Sequence, residues 1–293
     1  MWVLFSILAA LCWAIVSIID KYVFSKWVSN PLIPVTIFCA LGLLSSFFIF
    51  SFRGFYELSY QNIFLCFLAG AFFILASVLY FKAVKIEEIS RVVPLYYLTP
   101  LFTSVFAVFF LDEIFAPIKY LGIFLLVIGA VLISLRSLTD LRPGNALLLM
   151  ILASIFYSLS AIATKYLLSF ADFWTIFAYI RLLLIFALVP MLYFCFRDLV
   201  ETVKKHGKKV IVAISLAEAL TLIGTLLITI AMSIGSVTLV NALSSIQPFI
   251  VLLFAVILSV FFPKILKEEI NKQVIFLKIL AIALMFVGVI LII

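Results

Sequence analysis

Charged side chains stand at several positions where a charge is costly. Glu218 lies about nine residues into the apolar run 210–231, Arg181 lies deep in the run 173–196, and Asp20-Lys21 close the run that begins at Trp2. Ionisable groups in hydrocarbon are unfavourable enough that each one marks a candidate site. A carboxyl group facing a cavity can bind a cation or exchange a proton, which makes Glu218 the candidate coupling residue. A guanidinium can grip a carboxylate through two parallel hydrogen bonds, so Arg181 is a candidate substrate contact. The alternative for both is a structural salt bridge between Arg181 and Glu218.

Polar side chains also gather around prolines inside apolar runs. Pro94, Pro100 and Pro248 are expected to interrupt helices, because proline frees a backbone carbonyl one turn earlier. Tyr96, Tyr97, Thr99, Asn241, Ser244 and Gln247 flank these positions and suit a cavity lining, with helix–helix packing as the competing role. Trp13, Tyr80 and Tyr157 are aromatic candidates for the same wall.

The elements that carry these residues must be membrane helices. Of 293 residues, 68% are hydrophobic and 11% charged, against about 25% charged in a soluble domain. A spanning helix needs roughly 20 apolar residues. Runs of that kind occur at 2–24, 31–52, 63–82, 89–111, 118–137, 145–168, 173–196, 210–231, 236–262 and 274–293. Turn chemistry separates them, as in "SNP", "DEIFAP" and "LRPGN"; "MSIGS" near 232–236 is the weakest break. The expected fold is therefore all-α and integral to the membrane, with ten transmembrane helices and the first run read as the first span.

The chain repeats itself. Residues 8–25, "LAALCWAIVSIIDKYVFS", and 152–169, "LASIFYSLSAIATKYLLS", coincide at six of 18 positions, Lys21 with Lys165 and Tyr22 with Tyr166. At an offset of 148, "LAGA" faces "LAEA", Ala83 faces Ala231, and Pro100 faces Pro248. The expected organisation is a first five-helix repeat over 1–138, a linker at 139–144 and a second repeat over 145–293. Five spans per copy is an odd number, so the second copy enters from the opposite side. Inverted repeats of this kind are how secondary transporters build a site reached alternately from two faces. Since an orientation anchor needs no copy on both faces, Lys21 and Lys165 become candidate gate or substrate-contact residues, and Asp20 a neutralising neighbour of Lys21.

With these residues in view, the chain resembles a ten-helix, EamA-like member of the drug/metabolite transporter superfamily. The resemblance rests on "ALCWAIVSIIDK", on "YFKAVKIEEISRVVPLYYLTPLFTSVFAVFFLDE" and on "ITIAMSIGSVTLVNALSSIQPFIVLLFAV". The proline steps are Thr99-Pro100 and Gln247-Pro248, and the acidic end is Asp112-Glu113. It implies export or exchange of a small metabolite, such as an amino acid, a nucleotide precursor or an amphipathic compound.

Other classes fare poorly. The net charge of +7 comes from basic residues in short loops, as orientation and anionic headgroups require, so a nucleic-acid partner is not expected. Cys12, Cys39, Cys66 and Cys195 lie in apolar runs without metal-ligand spacing, and no cofactor is expected. No G-x-x-x-x-G-K-[ST] is present, so no ATP-driven pump is expected. A lipid- or prenyl-modifying membrane enzyme needs paired acids or a His constellation, and this chain has one His and no DxxD-like cluster; a non-transporting receptor or structural protein is the other rival. The expected partners are a small-molecule substrate, protons and the bilayer, with the protein a monomer or homodimer. Loops after odd-numbered runs hold 15 basic residues against three in the others, so the termini are expected outside a cell membrane.

Overall fold

Side chains that are apolar on every face leave the backbone no solvent partner, and a helix satisfies its own N–H and C=O groups. The computed structural model describes residues 1–28, 30–86, 92, 95–134, 146–251, 253, 254 and 272–292. Pro94 and the predicted linker 139–144 lie outside the described residues, as does the side chain of Lys21. Among the described residues the regular structure is helical throughout.

In chain order the helices are α1 (Trp2–Lys26), α2 (Leu32–Arg53), α3 (Tyr60–Ile86), α4 (Thr99–Leu111), α5 (Pro117–Ser134), α6 (Ala146–Leu167), α7 (Phe173–Leu183), α8 (Ile185–His206), α9 (Lys208–Ile234), α10 (Val237–Ser244) and α11 (Lys272–Ile292). A 3-10 turn, Tyr96–Leu98, leads into α4. Among the described residues, six segments are long and apolar enough to cross a membrane: Trp2–Phe24, Leu32–Arg53, Tyr60–Ile86, Ala146–Leu167, Phe173–His206 and Lys208–Ile234. Shorter apolar helical segments lie at Tyr96–Leu111, Pro117–Gly129, Val237–Val251 and Ile279–Ile292.

The breaks refine the sequence reading. The weak "MSIGS" boundary is real: α9 ends at Ile234 and α10 starts at Val237. The run 173–196 is not continuous, because helix α7 stops before Leu184 and α8 follows. Helix α8 then continues to His206, so Lys204, Lys205 and His206 form its last turn rather than a loop. Cations there face the negative end of the helix dipole. Pro100 and Pro248 do not sit inside helices as interrupters. Each stands in the first turn after an interruption, the 3-10 turn before α4 and the turn at Ser245-Ile246. In a first turn the missing N–H has no intrahelical partner to lose.

Helix contacts are most extensive between α5 and α11, α3 and α6, and α1 and α9. Others join α4 with α6, α1 with α10, α2 with α9, α3 with α7, α2 with α7 and α4 with α10. Setting aside α8, which also packs on α2, exchanging α1 for α6, α2 for α7, α3 for α9, α4 for α10 and α5 for α11 maps this pairing onto itself. Helices α5 and α11 run antiparallel. Lys119 Nζ donates to the carbonyl of Ile292 at 2.8 Å, Gly122 meets Gly288, and Gly129 meets Ala281 and Met285. A Cβ on Gly122 would stand 2.9 Å from the Gly288 oxygen, and one on Gly288 would stand 2.8 Å from the Gly122 oxygen. Only a glycine on both helices permits so close a crossing, the usual device where lipid removes any hydrophobic drive to associate.

Candidate functional site: an aromatic cavity with two carboxylates

Helical spacing decides which side chains meet. On α1, Trp13, Val16, Ser17 and Asp20 follow i, i+3, i+4, i+7 and share one face. On α3, Phe73, Ser77, Tyr80 and Phe81 do the same, and on α9 Glu218 and Thr221 are a turn apart. These faces enclose a cavity of about 140 Å³, completed by Val35 and Phe38 of α2, Tyr96 and Tyr97 of the 3-10 turn, Tyr157 of α6, and Gln247. A cavity near 150 Å³ is about the size that accepts a benzene ring, so the space suits a small organic molecule.

Its wall is a chain of rings. Centroids lie 5.2 Å apart for Phe38–Phe73, 6.1 Å for Phe73–Tyr157, 5.4 Å for Tyr96–Tyr157 and 5.8 Å for Tyr80–Tyr96. The indole of Trp13 lies against Gly224, where a Cβ would come within 2.7 Å of Nε1. Ser17 donates to the Trp13 carbonyl at 2.9 Å, and Gln247 Nε2 donates to Ser17 Oγ at 3.1 Å. Two carboxylates face this space. Asp20 is 6% exposed and Glu218 4% exposed, and among the described residues neither accepts a hydrogen bond nor forms an ion pair.

Of the residues singled out from sequence, Trp13, Tyr80, Tyr96, Tyr97, Tyr157, Gln247 and Glu218 line the cavity. Thr99, Asn241 and Ser244 do not. Thr99 Oγ1 donates to the Tyr96 carbonyl, Asn241 Nδ2 to Thr103 Oγ1 and Ser244 Oγ to the Asn241 carbonyl. Thr103 donates in turn to Ser158. These groups tie α4, α6 and α10 together, which is the packing role open to small polar residues between helices.

Arg181 is 3% exposed, and no ion pair joins it to Glu218 among the described residues. Instead its guanidinium carbon stands 5.1 Å from the ring centres of Phe38 and Phe73 and 4.9 Å from that of Phe177. Cation–π attraction stands where the alternative reading put a salt bridge, and Nε and Nη1 have no hydrogen-bond partner. The rings of Phe38 and Phe73 touch this cation and also line the cavity.

Lys165 is placed away from the cavity. Its Nζ donates to the carbonyls of Met232 and Gly235, each at 2.7 Å, where α9 has run out of intrahelical donors. Across the same break, Glu113 caps α10. Its carboxylate accepts from Ser236 Oγ at 2.6 Å, the Val237 N–H at 3.1 Å, the Thr238 N–H at 3.4 Å and Thr238 Oγ1 at 3.1 Å. A cation at a helix C-terminus and an anion at the next N-terminus each complement the local dipole. Lys165 and Glu113 are close enough to interact electrostatically.

Asp20, Ser17, Phe38, Phe73 and Thr221 were missed as cavity residues. For Asp20 a signal existed, since it shares the α1 face of Trp13 at i+7. Phe38 and Phe73 had none among 32 phenylalanines.

Comparison with known proteins agrees with this architecture. The family model described as "EamA-like transporter family" matches residues 1–135. A solved crystal structure superposes with a TM-score of 0.70 at 16% identity, covering 99% of this chain and 95% of its own; at that identity the likeness speaks for the fold alone. No curated protein matches the sequence. Residues 1–135 of this helical chain, with its several apolar helices, are thus similar to the EamA-like transporter family of the drug/metabolite transporter superfamily.

Proposed function

We propose that the protein is a secondary transporter that moves a small organic molecule by alternating access. In this reading ten spans form two inverted five-helix repeats over 1–138 and 145–293. What carries the reading is the cavity shared by the two halves. Its wall takes α1, α2, α3 and the 96–98 turn from the first half, and Tyr157, Glu218, Thr221 and Gln247 from the second. A site built at such a junction opens to one face or the other as the halves rock.

Two further observations support the repeat. Apart from α8, the helix pairing maps onto itself when the halves are exchanged, and the equivalent helices α5 and α11 run antiparallel, as inversion requires. Energy comes from a substrate or proton gradient, with Glu218 as the proton-coupling residue. The molecule sits in a cell membrane with its termini outside, on the basic-loop distribution, and exports or exchanges its substrate.

The test is a thermal-shift screen of the purified protein against metabolite pools, since a ligand bound to the folded state raises the unfolding midpoint. Compounds that stabilise it are then assayed for flux into liposomes. Flux that is lost on Trp13→Ala and Glu218→Gln is expected. Flux indifferent to both changes, or stabilising compounds that never cross, overturns the reading.

A further inference from the structure

The two carboxylates and the buried guanidinium make the cavity strongly asymmetric in what it can bind. Asp20 on α1 and Glu218 on the adjacent helix α9 both line it. Both are more than nine-tenths buried, and among the described residues neither has a hydrogen-bond or ion-pair partner. Each influences the other electrostatically. Buried carboxylates are ordinarily paired or fully hydrogen-bonded, so two unsatisfied ones aimed into one cavity call for a ligand that supplies the missing counter-charge.

The nearby cation is held by aromatic rings rather than by a carboxylate. Arg181 is enclosed by Phe38, Phe73 and Phe177, and its Nε and Nη1 are fully shielded. Two of those rings, Phe38 and Phe73, form the cavity wall itself. A ligand carboxylate would lose its water, face Asp20 and Glu218, and find no ammonium or guanidinium among the described cavity-lining residues. The remaining wall, with Trp13, Tyr80, Tyr96 and Tyr157, presents aromatic rings that attract a cation over their faces and stack on a flat body. Lys165, the other cation near the centre of the fold, is engaged by the carbonyls of Met232 and Gly235.

We propose that the cavity selects an organic cation, an amine or quaternary ammonium carried on a small aromatic or apolar body, with Asp20 and Glu218 as its counter-ions. Anions and zwitterions with a free carboxylate are disfavoured. The inference rests on the reading of this cavity as the transport site and adds the charge class of the substrate.

Four probes of similar body and different charge test it on the purified full-length protein: benzyltrimethylammonium, its neutral analogue neopentylbenzene, phenylacetate and phenylalanine. The cation is expected to bind at least about tenfold more tightly than the anion or the zwitterion, because a hydrogen-bonded or paired charge contributes roughly 10- to 100-fold in affinity. Glu218→Gln and Asp20→Asn are each expected to weaken the cation by the same roughly 10- to 100-fold and to leave neopentylbenzene unchanged. Where either variant fails to fold, the probe series on the native protein decides alone. Tighter binding of phenylacetate or phenylalanine, no binding of the cation, or a cation affinity indifferent to both substitutions overturns the proposal. Liposome flux separates the two readings. Cation binding without flux of any bound compound keeps the charge class and removes the transport role. Flux of a carboxylate or zwitterion without cation binding does the reverse.

Discussion

Replacing Lys165 by methionine keeps most of the apolar stem and deletes the ammonium. The stem still covers the helix surface it now shields. What disappears are two hydrogen bonds of 2.7 Å to the carbonyls of Met232 and Gly235. A hydrogen bond to a charged group contributes about 1.5–3 kcal/mol. The two bonds share one donor on a half-buried side chain, so they sum to less than twice that, about 2–4 kcal/mol in all. At about 2–4 °C per kcal/mol for a chain of this size, the unfolding midpoint should fall by roughly 5–15 °C. Lys165→Arg keeps the charge and the donors and should recover most of the loss. The double change Lys165→Met, Glu113→Gln should cost less than the sum of its parts, because the two charges interact across the α9–α10 break. The assay is thermal unfolding in detergent alongside flux in liposomes. A Lys165→Met protein with an unchanged midpoint and lost flux would refute the capping role and restore the sequence-based view of Lys165 as a gate.

Gly224→Ala places a methyl within 2.7 Å of Trp13 Nε1, so the indole must move; tryptophan emission should shift and ligand-induced stabilisation should drop, at an overpacking cost of about 1–3 kcal/mol. Glu113→Ala removes the acceptor of four donors at the start of α10 and should lower stability by about 1–2 kcal/mol, the range of a lost N-cap, measured by the same unfolding midpoint. Glu218→Gln should abolish the pH dependence of flux, and a variant that keeps it in full would remove the proton-coupling assignment. Single cysteines at 204–209 should react only with reagent on the cytoplasmic side if the termini are outside; labelling from outside alone would reverse the orientation.

Much of the fold was legible before any coordinates. Apolar runs longer than a bilayer is thick leave the backbone one solution, so the positions of α1, α2, α3, α6 and α9 were read to within a few residues. Lys-Tyr and Pro recur in order along the two halves, and the weak boundary at 232–236 proved to be a true helix break. The cavity was half legible. Trp13, Tyr80, Tyr96, Tyr97, Tyr157, Gln247 and Glu218 were found as polar or amphipathic groups in apolar surroundings, where such residues are costly without a purpose. The break at Leu184 was not legible, since nothing in an unbroken apolar run marks where a helix stops and restarts.

By itself the sequence determined the class, most of the helical elements and the rarity of charges in its apolar runs, because each of these follows from local composition and period. Only the tertiary structure decided which charges meet which partners. From sequence, Glu218 and Arg181 were open either to separate cavity roles or to a salt bridge. Packing set Arg181 among three phenylalanine rings, turned Lys165 onto the carbonyls of another helix, and brought Asp20 into the same cavity as Glu218. These outcomes depend on helix rotation and pairing across more than a hundred residues of chain, and a one-dimensional pattern carries no record of which faces come together.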